Sequence, residues 1–161
     1  MNFSNMVYAQ NVFDNKTNAS NIINYIPRFK SINCKFYQTK KMTNVAPIKS
    51  SGNFQFIENK GVIFETTYPV KAVTNYTNEQ NKKINEIILS ISKGNYNFLD
   101  NNFDIYFLNN TDWTLALKPK ASNNAAKQLN NIIIKGNKKY IEQITFNTKN
   151  GQTDISFECE N

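Results

Sequence analysis

Residues that commonly perform catalysis are scarce in this chain of 161 residues. Histidine is absent, which removes the commonest general base and the imidazole ligand of many metal sites. Ser50-Ser51-Gly52 does not have the Gly-x-Ser-x-Gly spacing of a nucleophile elbow, and Lys60-Gly61 lacks the other residues of a phosphate-binding loop. The sequence therefore predicts no catalytic residue, no metal site and no cofactor, and we expect the protein not to be an enzyme.

The acidic residues and the two cysteines do not form a reactive cluster in the sequence. Four aspartates lie apart from one another in predicted turns or on polar strand faces: Asp100, Asp104, Asp112 and Asp154. Cys34 and Cys159 are far apart, and neither belongs to a Cys-x-x-Cys motif. Two alternatives stay open for them, a disulfide between the first and last strands in an oxidising compartment, or two buried thiols.

The net charge of +7 does not by itself indicate a nucleic-acid-binding protein. The basic residues occur singly or in pairs along the chain, such as Lys40-Lys41, Lys82-Lys83 and Lys138-Lys139, and they form no basic stripe. We therefore expect no nucleic-acid partner. An electropositive surface also suits an anionic lipid surface or an acidic partner. No segment reaches the about 18 consecutive apolar residues typical of a membrane-spanning helix.

Alternating aromatic and polar residues predict two hairpins, each with one apolar face. In the first, Phe54 and Phe56 share one face of a strand, and Val62 and Phe64 share a face of the next. Glu58–Gly61 supplies the reversal between these strands. The second hairpin has apolar positions at Phe103, Ile105 and Phe107 on one strand and at Trp113, Leu115 and Leu117 on the other.

Four further strands complete a predicted total of about eight. One strand covers Ile32 to Gln38 and is ended by Ala46-Pro47, after which Ser50–Gly52 forms a turn into the next strand. The last three strands are centred on Ile132–Ile134, Ile141–Phe146 and Ile155–Phe157. Because the connections between strands are short wherever no helix intervenes, the sheet is predicted to be antiparallel and meandering.

Helical spacing of isoleucines predicts two amphipathic helices and one short helical turn. The first helix covers Thr17 to Lys30, with Asn18 or Ser20 as N-cap and Pro27 loosening its last turn. The second covers Glu79 to Lys93 and is ended by glycine. Its apolar stripe consists of Ile84, Ile87, Ile88 and Ile91. The short turn covers Ser122 to Gln128.

A series of spaced motifs resembles the outer-membrane lipoprotein carrier (LolA-like) family, in its compact branch. The first block reads Phe36-x-Gln38-x-Lys40, Pro47-x-x-Ser50-Ser51-Gly52-x-Phe54-x-Phe56 and Gly61-Val62-x-Phe64-x-Thr66-x-x-Pro69. Later landmarks are Ile88-Leu89-x-Ile91-x-x-Gly94, Trp113-x-Leu115-x-Leu117-x-Pro119, Ile132-x-Ile134-x-Gly136 and Asn150-Gly151-x-Thr153. The resemblance covers about residues 20 to 158. It implies an α+β fold in which a curved antiparallel sheet forms an incomplete β-barrel, with helices covering its concave apolar face.

The resemblance also implies a function. Members of this family are soluble periplasmic carriers, or chaperones, that shield the acyl chains of lipoproteins during transfer to the outer membrane. It implies lipoprotein or another acylated lipid as cargo, an inner-membrane donor, an outer-membrane acceptor and a monomeric protein. The alternative is a non-enzymatic cell-envelope adaptor that binds a partner protein through the same apolar groove. Known carriers have an arginine at the position that aligns with Glu58, so the cargo stays open.

The resemblance implies a cargo site between the sheet and the helices around Ile22–Phe29 and Ile84–Ile91. Its predicted apolar lining consists of Phe54, Phe56, Val62, Phe64, Ile84, Ile87, Ile88, Ile91, Phe103, Ile105, Phe107, Trp113, Leu115 and Leu117. A closed core without a cavity is the alternative interpretation of these residues. We expect one carrier domain over residues 17–161. Residues 1–16 are expected to be a flexible segment or a signal remnant, since Val7-Tyr8-Ala9 has the spacing of a cleavage site.

Overall fold

A computed structural model describes residues 11–74, 82–94 and 96–160 of the chain. Within these residues, ten strands form one open antiparallel sheet accompanied by a few helices, so the α+β class is confirmed. The strands are β1 Lys16–Thr17, β2 Ile32–Met42, β3 Val45–Ile57, β4 Gly61–Tyr68, β5 Ala72–Thr74, β6 Phe103–Asn109, β7 Trp113–Pro119, β8 Leu129–Gly136, β9 Ile141–Thr148 and β10 Gly151–Cys159. The eight longer strands are the predicted ones; β1 and β5 are short additions at the two edges.

The sheet consists of two meanders joined side by side. Its strand order is β1-β6-β7-β8-β9-β10-β2-β3-β4-β5, so β2 to β5 form one meander and β6 to β10 form the other. The junction is the β10–β2 ladder, which runs from Gly151 opposite Met42 to Cys159 opposite Cys34. The first and last long strands of the chain are therefore neighbours in the centre of the sheet.

Of the two alternatives left open for the cysteines, the disulfide is the one present, and it lies at this junction. Cys34 and Cys159 are paired residues of the β10–β2 ladder, their Cα atoms lie 4.0 Å apart, and their sulfur atoms are bonded. The alternative of two buried thiols is therefore wrong. The bond links positions separated by 125 residues, and it joins the two meanders covalently.

One face of the sheet carries the helices, and we call it the covered face. The register of the first hairpin confirms the predicted alternation, since Phe54 lies opposite Phe64 and Phe56 lies opposite Val62. The helices are α1 Ala19–Ile22, α2 Lys82–Lys93 and α3 Asn97–Asn102, with short 3-10 helices at Val12–Asp14 and Asn124–Lys127. The last of these lies within the predicted turn from 122 to 128. None of the described helices is long and apolar enough to cross a membrane.

The first helix is much shorter than the prediction of residues 17 to 30. Asn18 is its N-cap, as one of the two expected candidates, because its side chain accepts a hydrogen bond from the Asn21 amide at 3.2 Å. The regular helix ends at Ile22 because Pro27 would clash with the carbonyl four residues earlier and disfavours helical backbone at Ile26. Ile22, Ile26 and Phe29 are nevertheless buried, as the spacing predicted.

The predicted break at Ala46-Pro47 is wrong, because Pro47 lies inside β3. The β2–β3 ladder shifts register between Lys40 and Met42, opposite the position of Pro47, and strands tolerate proline at such irregularities and at sheet edges. Ser50–Gly52 is likewise part of β3 and not a turn. A Cβ at Gly52 would lie 1.9 Å from the Glu65 carbonyl oxygen, so this position needs glycine for close backbone approach at a register shift.

The second helix agrees with the sequence prediction where the structure describes it. Helix α2 begins at Lys82, and residues 79–81 of the predicted range lie outside the described residues. Gly94 ends it with a φ of 68°, a left-handed conformation that glycine adopts without strain.

The N-terminal segment is described from residue 11 onward, and residues 1–10 lie outside the described residues. Val12 is buried and Lys16–Thr17 pair with β6, so residues 11–16 contact the sheet.

Candidate functional site

The predicted lining residues come together on the covered face. Twelve of the fourteen, on the sheet and on α2, are buried. The buried set is Phe54, Phe56, Val62, Phe64, Ile87, Ile88, Ile91, Phe103, Ile105, Trp113, Leu115 and Leu117. Phe107 is partly buried and packs against the same cluster. The side chain of Ile84 lies outside the described residues.

Aromatic rings form the centre of the covered face between the two meanders. The ring of Phe54 lies 5.0 Å from that of Phe64 and 4.6 Å from that of Phe157, while Phe36 meets Phe64 edge to face at 5.2 Å. Such offset and edge contacts stabilise a core beyond the area that the rings bury. Phe157 brings the last strand into contact with the first predicted hairpin.

Several lining residues were missed in the sequence-based list. Phe36, Ile132, Ile134, Ile144, Ile155 and Phe157 are all buried on the covered face. Their own strands alternate with period two, so the signal was present. What the sequence did not supply is that β10 and β2 are neighbours, which brings these strands into one surface with Phe54 and Phe64.

Helix α2 closes the covered face with its isoleucines. Ile88 contacts two small spaces between the helix and the sheet. One is bounded by Phe29, Ile32, Phe54, Phe56, Ile141 and Phe157, and the other by Ile87, Ile132, Ile134, Ile144 and Phe146. The first measures about 20 Å³, which is comparable to the room one water molecule needs. In this conformation the predicted cargo space is filled by side chains of the protein itself.

A polar contact ties α2 to the sheet beside this apolar surface. The Asn85 side chain is buried, and its Oδ1 accepts a hydrogen bond from the Val62 backbone amide at 3.1 Å. Within the described residues, strand β5 pairs with β4 from Phe64 to Thr66. Asn85 therefore gives the Val62 backbone donor the hydrogen-bond acceptor that a buried N–H group requires.

A cation and a phenol lie at the C-terminal end of α2. The Arg28 guanidinium is 3.7 Å from the point where a Cβ on Gly94 would lie, a favourable place for positive charge beside the last helical carbonyls. Burial raises the pKa of the Tyr96 phenol, and the positive charge of Arg28 lowers that pKa by a smaller amount. Tyr96 is therefore neutral at physiological pH. Glu58 is exposed in the turn after β3.

Three of the four aspartates singled out in the sequence have structural partners. Asp100 accepts a hydrogen bond from the Ala19 amide at 3.0 Å, which joins α3 to the first turn of α1. Asp104 forms an exposed ion pair with Lys16 at 3.8 Å, and Asp154 accepts from Thr145 at 2.8 Å. Among the residues that the structure describes, no group of three His, Cys, Asp or Glu side chains is arranged to hold a metal ion.

A wider hollow lies on the opposite, uncovered face. It measures about 580 Å³, is open to solvent and is lined in part by Cys34 and Cys159. Its other lining residues are mostly polar: Asn33, Lys35, Asn53, Phe54, Gln55, Ile63, Glu65, Glu158 and Glu160. This polar surface is a poor environment for acyl chains, so the covered face is the better candidate for an apolar ligand.

No protein-family model matches the sequence, and a comparison with curated proteins also finds no match. The resemblance to the outer-membrane lipoprotein carrier family is therefore still a hypothesis based on the sequence motifs.

Proposed function

We propose that this protein is a carrier of lipoproteins or other acylated lipids in the cell envelope. In the proposal the open antiparallel sheet is the incomplete barrel of the LolA-like fold, and the covered face is the acyl-chain site. The observation that supports it most is the closure of a continuous aromatic and aliphatic surface by one short amphipathic helix, α2. The disulfide fits an oxidising compartment such as the periplasm.

Loading would require α2 to move, because the space beneath it is filled. Ile87, Ile88 and Ile91 would leave the covered face, and methylene groups of the cargo would take their place. Each buried methylene contributes roughly 0.8 kcal/mol, so a chain that covers the same area can offset the exposure of three isoleucines. An acyl chain and the isoleucine stripe thus compete for one surface, which makes binding reversible.

The first test is whether the purified protein contains or binds acyl chains. A carrier should release acyl species on organic extraction and should bind a fluorescent fatty acid saturably, with displacement by unlabelled palmitate. The adaptor alternative gives neither result, because its partner is a protein. Absence of both in correctly folded protein would contradict the carrier proposal.

A matched pair of variants tests whether the acyl chain binds beneath α2. Ile88→Ala removes three heavy atoms that contact both small spaces, so the empty protein should lose about 2–4 kcal/mol of stability and an acyl chain should restore part of it. We expect fatty-acid affinity to rise, because the acyl chain then displaces a smaller side chain. Ile133→Ala is the control, since Ile133 alternates with the buried Ile132 and Ile134 and points to the uncovered face. Equal effects of fatty acid on the melting of both variants would show that the acyl chain does not bind beneath α2.

A further inference from the structure

The β2–β3 hairpin ends in an exposed apolar and basic surface that neither the core nor the proposed cargo site uses. We call it the hairpin tip, and it consists of residues 40–50 together with the adjoining turn at 149–150. Met42, Val45 and Ile48 are 42%, 52% and 51% exposed. Their register puts them close together, since Met42 lies opposite Val45 and Lys40 lies opposite Ile48.

Lysines flank these apolar residues along the chain. Lys40, Lys41 and Lys49 belong to the hairpin itself, and the Thr43 amide bonds to the Asn150 carbonyl at 3.1 Å, which brings the turn containing Lys149 alongside. Neither residues 40–50 nor residues 147–151 include an aspartate or a glutamate. The tip therefore carries four positive charges without a carboxylate in the same stretches of chain.

The backbone at the tip is unsuited to pairing with another strand. The β3–β4 ladder begins with Ser51 opposite Tyr68, so within the described residues Val45 to Ser50 have a strand on one side only. Pro47 removes a backbone donor from this edge, and proline and lysine on an edge disfavour strand addition. Three exposed apolar side chains are also too few for a typical protein interface, which buries about 800 Å² on each partner.

We propose that the hairpin tip docks the protein onto an anionic lipid bilayer. Met42, Val45 and Ile48 would insert at the level of the headgroups while the surrounding lysines bind lipid phosphates, the combination by which peripheral proteins bind membranes. The inference does not depend on cargo, since docking requires only the tip. If the protein is also a carrier, docking places one end of the sheet against the membrane.

The test uses the full chain and vesicles of phosphatidylcholine with or without phosphatidylglycerol. We expect co-sedimentation with the anionic vesicles only, and a decrease as salt screens the lysines. Lys40→Gln, Lys41→Gln and Lys49→Gln together should weaken binding by about 100-fold, at about fivefold per lysine. The triple change Met42→Ser, Val45→Ser and Ile48→Ser should also abolish co-sedimentation.

Two control variants lie elsewhere on the surface. Val70→Ser with Val73→Ser removes exposed apolar side chains that are 70% and 68% exposed, and Lys120→Gln, Lys138→Gln and Lys139→Gln remove the same charge as the lysine variant. Both controls should bind vesicles as the unchanged protein does. Equal losses in the controls would overturn the proposal in favour of general charge attraction, and tip-dependent dimers on size exclusion would overturn it in favour of a second copy.

Insertion can be read directly with a reporter at the tip. The protein has one tryptophan, Trp113, which is buried and gives a constant background. In Val45→Trp, anionic vesicles should shift the added emission to the blue, and brominated lipid should quench it. Binding without either change would overturn insertion of the apolar tip. Palmitate binding by the tip variants should be unchanged, so the failure of this proposal is distinguishable from failure of the carrier proposal.

Discussion

Gly136 and Trp113 show how closely the packing of the covered face depends on a single residue. They are opposite residues of the β7–β8 ladder, and a Cβ at Gly136 would lie 2.2 Å from Trp113 Cζ2. The indole Nε1 donates a hydrogen bond to the Asn137 carbonyl at 2.9 Å, which holds the ring over the glycine. Alternation in the sequence predicted the strand and the buried tryptophan. No local pattern reveals which residue of the neighbouring strand lies beneath the ring.

We expect Gly136→Ala to lower the free energy of unfolding by about 1–3 kcal/mol, because the added methyl group overpacks the site. Denaturant unfolding measures the change. In a Trp113→Phe background the ring no longer extends to the Cζ2 position, so the same alanine should cost less, and the double-mutant cycle should give a clear coupling energy. Additive effects would show that the ring and the glycine do not share this space.

Helix α2 shows both the strength and the limit of prediction at the scale of elements. Its isoleucine spacing and terminal glycine predicted its end and its buried face, because both signals are local. Its attachment by Asn85 was not predictable, since that hydrogen bond depends on how α2 lies against β4 in the folded protein. The prediction of the first helix was wrong in its length, because Pro27 prevents helical backbone there. The apolar residues of that segment are buried all the same.

We expect Asn85→Ala to weaken the closed position of α2. The Val62 amide would be left without its acceptor whenever the helix is closed, at a cost of about 1–3 kcal/mol. Helix opening exposes that amide to water, so under the carrier proposal the variant should bind a fluorescent fatty acid more tightly. Asn85→Asp keeps an oxygen acceptor and is the control. If both variants exchange the α2 amides with solvent as slowly as the unchanged protein, the hydrogen bond does not hold the helix.

The order of strands across the whole sheet is the least predictable feature of the molecule. Short turns make neighbours of consecutive strands, and this rule correctly predicts each of the two meanders. The β10–β2 junction follows from no local rule, because it pairs segments at opposite ends of the chain. Only the two cysteines indicated it in advance, as one of two open interpretations, and the junction decides which residues form the covered face.

The disulfide at this junction should therefore stabilise the protein mainly by restricting its unfolded state. Linking residues 125 positions apart restricts the unfolded chain, and the loop-entropy relation gives roughly 5 kcal/mol for a loop of that length. Guanidinium unfolding should show a lower midpoint after reduction, and the oxidised protein should have the smaller denaturant slope because its unfolded state is more compact. The double variant Cys34→Ala with Cys159→Ala should match the reduced protein and should not respond to reductant.

The reduced protein should stay folded in the absence of denaturant. The β10–β2 ladder pairs nine residues on each strand, so we expect near-native circular dichroism after reduction. Loss of the β-sheet spectrum on reduction alone would show that the two meanders depend on the covalent bond to remain together.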